Sequence, residues 1–311
     1  MIGRYQTTRD FRAALEERLK QTARAQRLDL MRLRRQVAFD RLLARLFAAP
    51  ALRNESDAPD GPAATRFPWL LKGGYTFELR LGGKARATKD LDLSVPDPQI
   101  LTAGTGEPHG PRDTNAVVLE RLREAVALSR GDGFEFRIGA PMADLDAAPY
   151  GGARYPVEAR LDNRTFVTFH LDVGVGDATG ASPEWITGPD LLAFAGIPPA
   201  HIAAISREQQ FAEKTHAYTL PRGERTNTRV KDLVDLVLLL RLRLPATDAV
   251  RAAIRATFAR RATHPIPQTL EPPPAEWRAS FDPLAAEVDL GVTTLDAAFD
   301  EVAAYWRTLA L

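Results

Sequence analysis

The 311-residue sequence contains no cysteine. Disulfides, thiolate nucleophiles and cysteine-ligated metals are thereby excluded, and a reducing, cytoplasmic setting is the expectation. No uninterrupted apolar run is long enough to span a bilayer, so no membrane partner is expected. The start Met1-Ile2-Gly3-Arg4-Tyr5-Gln6 reads as no signal peptide, because no apolar core follows the charge. The five histidines show no metal-ligand spacing. A Gly-Lys-Ser/Thr phosphate loop is also missing, which argues against a P-loop kinase or ATPase. Net charge is nearly absent at +1, although it conceals strong local bias. Internal repeats and long low-complexity segments are lacking. The 45% hydrophobic content is ordinary and supports a real core.

What is present concentrates in two stretches. The first is Lys72-Gly73-Gly74 followed by Arg86-Ala87-Thr88-Lys89-Asp90-Leu91-Asp92-Leu93. Residues two apart on a strand point to the same face. Asp90 and Asp92 are therefore expected to enter one pocket, where two carboxylates repel unless a cation lies between them. A divalent metal that also holds a polyphosphate is the natural reason for such a pair. Gly73 and Gly74 allow close backbone approach and positive φ. If the segment Tyr75–Leu81 is a short helix, its N-terminal N–H groups favour phosphate. The expected order is strand (Trp69-Leu70-Leu71), Gly-Gly turn, short helix, acidic strand. Taken singly, a Gly-Gly pair is an ordinary turn and an Asp-x-Asp an ordinary strand end. Their combination in this order favours a site.

The second stretch is helical in pattern. Glu213-Lys214-Thr215-His216-Ala217 precedes Arg229-Val230-Lys231-Asp232-Leu233-Val234-Asp235. The helix from Arg229 is dense in leucine and valine and must be largely buried. Buried charges are costly unless paired. Lys231, Asp232 and Asp235 therefore belong either to a salt-bridged cluster or to a site. Asp232 and Asp235, three apart, share a face.

Gly-Gly, Asp-x-Asp, an isolated lysine and Arg-x-Lys-Asp-x-x-Asp, in that order over about residues 70–240, resemble the AbiEii/AbiGii-type, MenT-like nucleotidyltransferase toxin family. The resemblance implies an α+β fold: a nucleotidyltransferase-like mixed β-sheet core with flanking helices and a C-terminal helical bundle. It implies Mg²⁺ as cofactor, held by Asp90 and Asp92, bridging the triphosphate of an NTP cradled at Gly73-Gly74. Lys214 then places positive charge on phosphate, and Asp232 orients it or acts as general base. Lys72, Arg229 and Lys231 are phosphate-contact candidates. The superfamily often adds a third acid on a neighbouring strand. Asp172, which alternates with His170 in an apolar strand, is the candidate; a structural Asp bonding a turn is the other reading. The implied partners are an NTP, tRNA (at its 3′ end) or another RNA, and a cognate antitoxin. Transfer to protein or to a small molecule, or nucleotide binding without catalysis, are the alternatives.

Three parts are expected: basic N-terminal helices at 1–50, a nucleotidyltransferase-fold core at 67–195 and a C-terminal helical domain at 196–311. The first helices repeat Phe11, Leu15 and Leu19, then Leu28, Leu30, Leu33, Val37, Leu42, Leu43 and Leu46. Their polar face carries Arg9, Arg12, Arg18, Lys20, Arg24, Arg27, Arg32, Arg34, Arg35, Arg41 and Arg45. It reads as a solvated face or as a grip on nucleic-acid phosphates. Asn54–Arg66 and Pro96–Asn115 read as loops, with Thr114 or Asn115 capping the helix that follows. Phe134–Ile138, Tyr155–Leu161 and Phe166–Val175 alternate as strands. Further helices are expected at Arg207–Tyr218, Arg229–Leu244, Ala249–Arg261 and Thr293–Leu309.

Overall fold

The computed structural model describes residues 2–48, 68–98, 111–145, 148–178, 182–223 and 227–311. The loop expected at Asn54–Arg66 lies outside them. The fold is α+β around a mixed sheet, as expected. The chain divides into two compact units. The first comprises Met1–Tyr75, Ala87–Gly176 and Trp185–Ala204; the second comprises Thr76–Arg86, Asp177–Glu184 and Ile205–Leu311.

The first unit is organised by a sheet in the order β3-β5-β6-β2-β1-β8-β7, with β4 paired to β5. The strands are β1 (Leu70–Lys72), β2 (Leu91–Val95), β3 (Phe134–Ile138), β4 (Ala143–Asp144), β5 (Gly152–Leu161), β6 (Arg164–Val175), β7 (Glu184–Thr187) and β8 (His201–Ala204). At its centre β1 runs antiparallel to β2, and β2 parallel to β6. The long β5–β6 hairpin is antiparallel. Along β6, Phe169, Leu171 and Val173 are buried while His170 and Asp172 are half-buried. This period-two alternation separates a core face from a polar face.

Helices α1 (Thr8–Gln26) and α2 (Leu30–Leu46) pack with this sheet, as does α4 (Pro111–Ala127). Both N-terminal helices are capped by side chains: Thr7 accepts from the Asp10 N–H at 3.1 Å, and Asp29 from the Arg32 N–H at 2.7 Å. Phe39 on α2 meets Tyr75 and Phe169 edge-on, with ring centroids 5.0 and 4.8 Å apart. That aromatic contact anchors α2 and supports the Gly73 turn through Tyr75. Helix α4 begins at Pro111, ahead of the expected cap at Thr114 or Asn115. Proline suits the first helical position, where its missing N–H is no loss. Asn115 instead lies buried inside the helix and donates to Asp144 at 3.1 Å.

The basic stripe of α1 and α2 is not one solvated face. Arg32, Arg41 and Arg45 are buried. Arg45 forms a two-pronged ion pair with Asp132, at 2.9 and 2.7 Å, and donates to the Phe134 carbonyl at 2.7 Å. Arg41 pairs with Asp40 and donates to the Pro198 carbonyl at 2.6 Å. Arg12 caps carbonyls of the β5–β6 hairpin, and Arg34 pairs with Glu16. Guanidinium groups enter a core when their fork is matched by oxygens, as those of Arg41 and Arg45 are. Burial pushes the Asp40 carboxyl above the ordinary range despite the opposing charge of Arg41 and the Ala200 N–H. The exposed basic residues are Arg9, Arg18, Lys20, Arg24 and Arg27, all on or just after α1.

The second unit is helical: α5 (Arg207–Thr219), α6 (Val230–Arg241), α7 (Asp248–Arg261), α8 (Arg278–Glu287) and α9 (Leu295–Leu309). Phe77, Phe211, Leu233, Leu236, Leu239, Ile254, Phe281 and Trp306 share its core. Helix α6 buries nine of its twelve residues, Val230, Asp232, Leu233, Val234, Asp235, Leu236, Val237, Leu238 and Leu239. The expected helices at Arg207, Arg229, Ala249 and Thr293 are all present within a few residues of their bounds. Helix α8 was not legible, because Pro283 interrupts its pattern.

Candidate active site

Strand β1 ends at Lys72, Gly73 turns the chain, and α3 (Gly74–Leu81) begins at once. Gly73 has φ +71°, in the left-handed region. A Cβ there would lie 1.9 Å from Asp92 Oδ2. Glycine is thus required twice, once for the backbone and once to admit the Asp92 carboxylate against the turn. The carboxylate sits where the first N–H groups and the positive dipole end of α3 favour an anion.

Register sets the rest of the site. Lys72 pairs with Asp92, Asp92 with Asp172, and Asp172 with Arg154. Paired positions on neighbouring strands point to the same face. Lys72, Asp92, Asp172 and Arg154 therefore form one row across β1, β2, β6 and β5. All four are half-buried, whereas Leu71, Leu91, Leu93, Leu171, Val173 and Tyr155 fill the opposite face. Arg154 grips Asp172 with two parallel bonds, Nε to Oδ1 at 2.8 Å and NH2 to Oδ2 at 2.7 Å.

Asp90 lies at a bend one residue before β2 rather than on the strand. It still reaches the same face: its Oδ1 is 3.2 Å from His170 Nδ1, and its Oδ2 is 3.7 Å from the Arg154 guanidinium. Hydrogen bonding to Asp172, with the charges of Asp172, Asp90 and Asp92, outweighs desolvation and raises the Arg154 pKa. Arg154 is the site residue that sequence reasoning missed. Its partner stands eighteen residues away across a hairpin, so only the β5–β6 register reveals it. Reading the alternating strand back beyond Tyr155 would have placed it on the face of Pro156 and Glu158.

Asp90, Asp92, Asp172, Lys72, Gly73 and Gly74 thus belong to the first unit, and the other anticipated residues to the second. There Lys214 Nζ lies 2.9 Å from Asp232 Oδ1 and 2.7 Å from Asp235 Oδ2. Arg86 holds Asp235 through two bonds of 3.0 Å. Arg229 lies 3.5 Å from Asp232, and Lys231 is exposed. The buried charges of α6 form the salt-bridged cluster that burial demands. Desolvation opposes the charge of Lys214, but Asp232 and Asp235 outweigh it and its pKa stands above that of an ordinary lysine. Desolvation likewise opposes the Asp235 carboxylate, yet Lys214 and Arg86 hold its pKa below the usual value.

The donor set suits a hard cation. Among the described residues no three His, Asp or Glu side chains form a ready cage for a metal ion. Mg²⁺ does not need one: it takes one or two carboxylates and completes its shell with water and substrate phosphate. Asp92 and Asp172, adjacent in register, supply oxygens of that kind.

A glycine turn thus opens a short helix beside aligned aspartates at the centre of a mixed sheet. The model of the family described as "Nucleotidyl transferase AbiEii toxin, Type IV TA system" matches residues 62–305. The chain belongs to that family, and its membership in a toxin–antitoxin family implies an antitoxin partner. Among solved structures the chain is similar to the nucleotidyltransferase toxin MenT4 of Mycobacterium tuberculosis H37Rv, with TM-score 0.58 and 16% identity over 96% of this chain and 89% of that one. This likeness bears on the fold. The antibiotic-resistance factor ANT(2'')-Ia is matched at TM-score 0.35 and 18% identity over 73% of this chain and 95% of that one. No curated protein matches by sequence. Among the described residues, no helix is long and apolar enough to cross a membrane.

Proposed function

We propose that this nucleotidyltransferase moves an NMP from an NTP onto an RNA acceptor, the 3′ end of tRNA, with Mg²⁺, in the cytoplasm. The observation that carries the reading is the alignment of Asp92 with Asp172 beside a glycine turn that opens a helix. Asp92 and Asp172 are the residues that would hold Mg²⁺, with Asp90 alongside. When bound, the ion supplies charge neutralisation for the triphosphate and its leaving pyrophosphate. The side-chain-free turn at Gly73 and Gly74 lets phosphate approach the backbone closely, and Lys72 adds positive charge on the same face. Lys214 remains a candidate for the positive charge that phosphoryl chemistry requires. Asp232 positions Lys214, a role that their 2.9 Å contact supports. Arg229 and Lys231 remain phosphate-contact candidates.

The exposed arginines and lysine of α1 support an RNA acceptor, since basic side chains on one helix suit a phosphate backbone. The test is incubation of the protein with each of the four labelled NTPs, Mg²⁺ and total tRNA. Label in tRNA, lost in Asp92→Ala and reduced in Lys214→Ala, supports the reading. Label in protein or in a small molecule would replace the acceptor. Nucleotide binding without transfer would replace the activity.

A further inference from the structure

Arg154 is placed where a cation belongs. Its guanidinium occupies both oxygens of Asp172 and lies 3.7 Å from Asp90. It comes from β5, the strand beyond β6, and so approaches the acidic row from the side opposite β1. The bidentate geometry is the strong form of the arginine–carboxylate pair. The side chains are 37% exposed for Arg154 and 14% for Asp172, so the pair is reachable from solvent and can open without unfolding the sheet. Asp90 is held in turn by His170.

We propose that Arg154 is a built-in counter-ion that competes with the divalent metal for Asp172 and so sets the affinity of the site for it. This rests on the reading that the acidic row holds the metal. Without a metal, Arg154 balances three clustered carboxylates that would otherwise repel one another. An arriving dication must break the two Arg154–Asp172 bonds to use Asp172 as a ligand. Metal binding in the absence of nucleotide is consequently weak, and the triphosphate, which brings its own oxygens to the metal, is needed to displace the guanidinium. Arg154 is in this account a positioning residue: it acts through Asp172.

The experiment measures Mn²⁺ binding to the nucleotide-free protein by electron paramagnetic resonance, which needs no turnover. Wild type, Arg154→Gln, Arg154→Lys and Asp172→Asn are compared, each checked by thermal melting. Removing a positive charge that contests a dication is expected to tighten Mn²⁺ binding by about tenfold or more in Arg154→Gln. Arg154→Lys, which keeps the charge without the fork, should fall between that variant and wild type. Asp172→Asn should weaken binding, and Mn²⁺ should raise the melting temperature of Arg154→Gln more than that of wild type. Equal or weaker Mn²⁺ binding by a folded Arg154→Gln, beside a wild type that binds, overturns the competition alone. Failure of wild type and Arg154→Gln alike to bind Mn²⁺ overturns the metal reading with it.

Discussion

Replacing Gly73 with alanine separates a backbone requirement from a catalytic one. The new methyl would stand 1.9 Å from Asp92 Oδ2 and 2.5 Å from its Cγ, on a backbone of φ +71°. The left-handed conformation alone costs an L-residue about 1–2 kcal/mol. The collision is relieved when Asp92 turns away from the α3 N-terminus, and this displaces a carboxylate proposed to hold the metal. Gly82 supplies the control: it has φ +59° and open space where a Cβ would go. Both Gly73→Ala and Gly82→Ala should therefore melt lower by about 2–8 °C, from that backbone cost and the usual scaling of melting temperature with stability. Only Gly73→Ala should lose transfer activity, by about a hundredfold, the effect of an ångström-scale misplacement of a reacting group. The assay pairs thermal melting with the labelled-NTP rate. Equal activities in the two variants would refute the reasoning.

Three further outcomes follow from the buried charges. Asp132→Ala strands the Arg45 guanidinium, whose side chain is 2% exposed; denaturant unfolding should show a loss of about 3–5 kcal/mol. Asp235 has a folded pKa below its unfolded value of 3.8, so it stabilises the fold above that value and loses this contribution as pH falls through the folded one. Acid unfolding of Asp235→Asn should start from lower stability at neutral pH and show a shallower slope below pH 3.8. His216 is pushed down to about 4 by burial and by the charges of Arg261 and His264. It is thus neutral in the fold while the unfolded chain protonates, so melting temperature should fall between pH 6.5 and 4, and His216→Phe should flatten that fall.

Much of the fold was legible because period and punctuation agreed. Phe134–Ile138 and Phe166–Val175 alternate cleanly, and Gly73-Gly74 marks the turn between β1 and α3. Strands β7 and β8 were not legible: each has four residues and lies toward one edge of the sheet, too short for alternation to stand out. The faces of single elements told which acids could meet, since Asp92 and Asp172 each alternate with buried aliphatics. Which side chains satisfy them depends on register between strands far apart in sequence, and Arg154 was invisible for that reason. The same holds for Arg41 and Arg45. On a helical wheel they join the basic face; Asp40 adjoins Arg41 in sequence, but Pro198 and Asp132 become neighbours only in the folded chain. The Lys214 cluster was half legible: burial of α6 demanded counter-charges, and Arg86 is the partner that spacing did not supply.

The aligned aspartates are the proposed site of nucleotidyl transfer. This placement is tested most directly by the rate at which α-phosphate label moves from NTP to tRNA in Asp92→Asn and Asp172→Asn, each shown to melt close to wild type. Both variants should fall by about a hundredfold or more, as expected when a group that stabilises the transition state is removed. Transfer at the wild-type rate in either folded variant would contradict the placement.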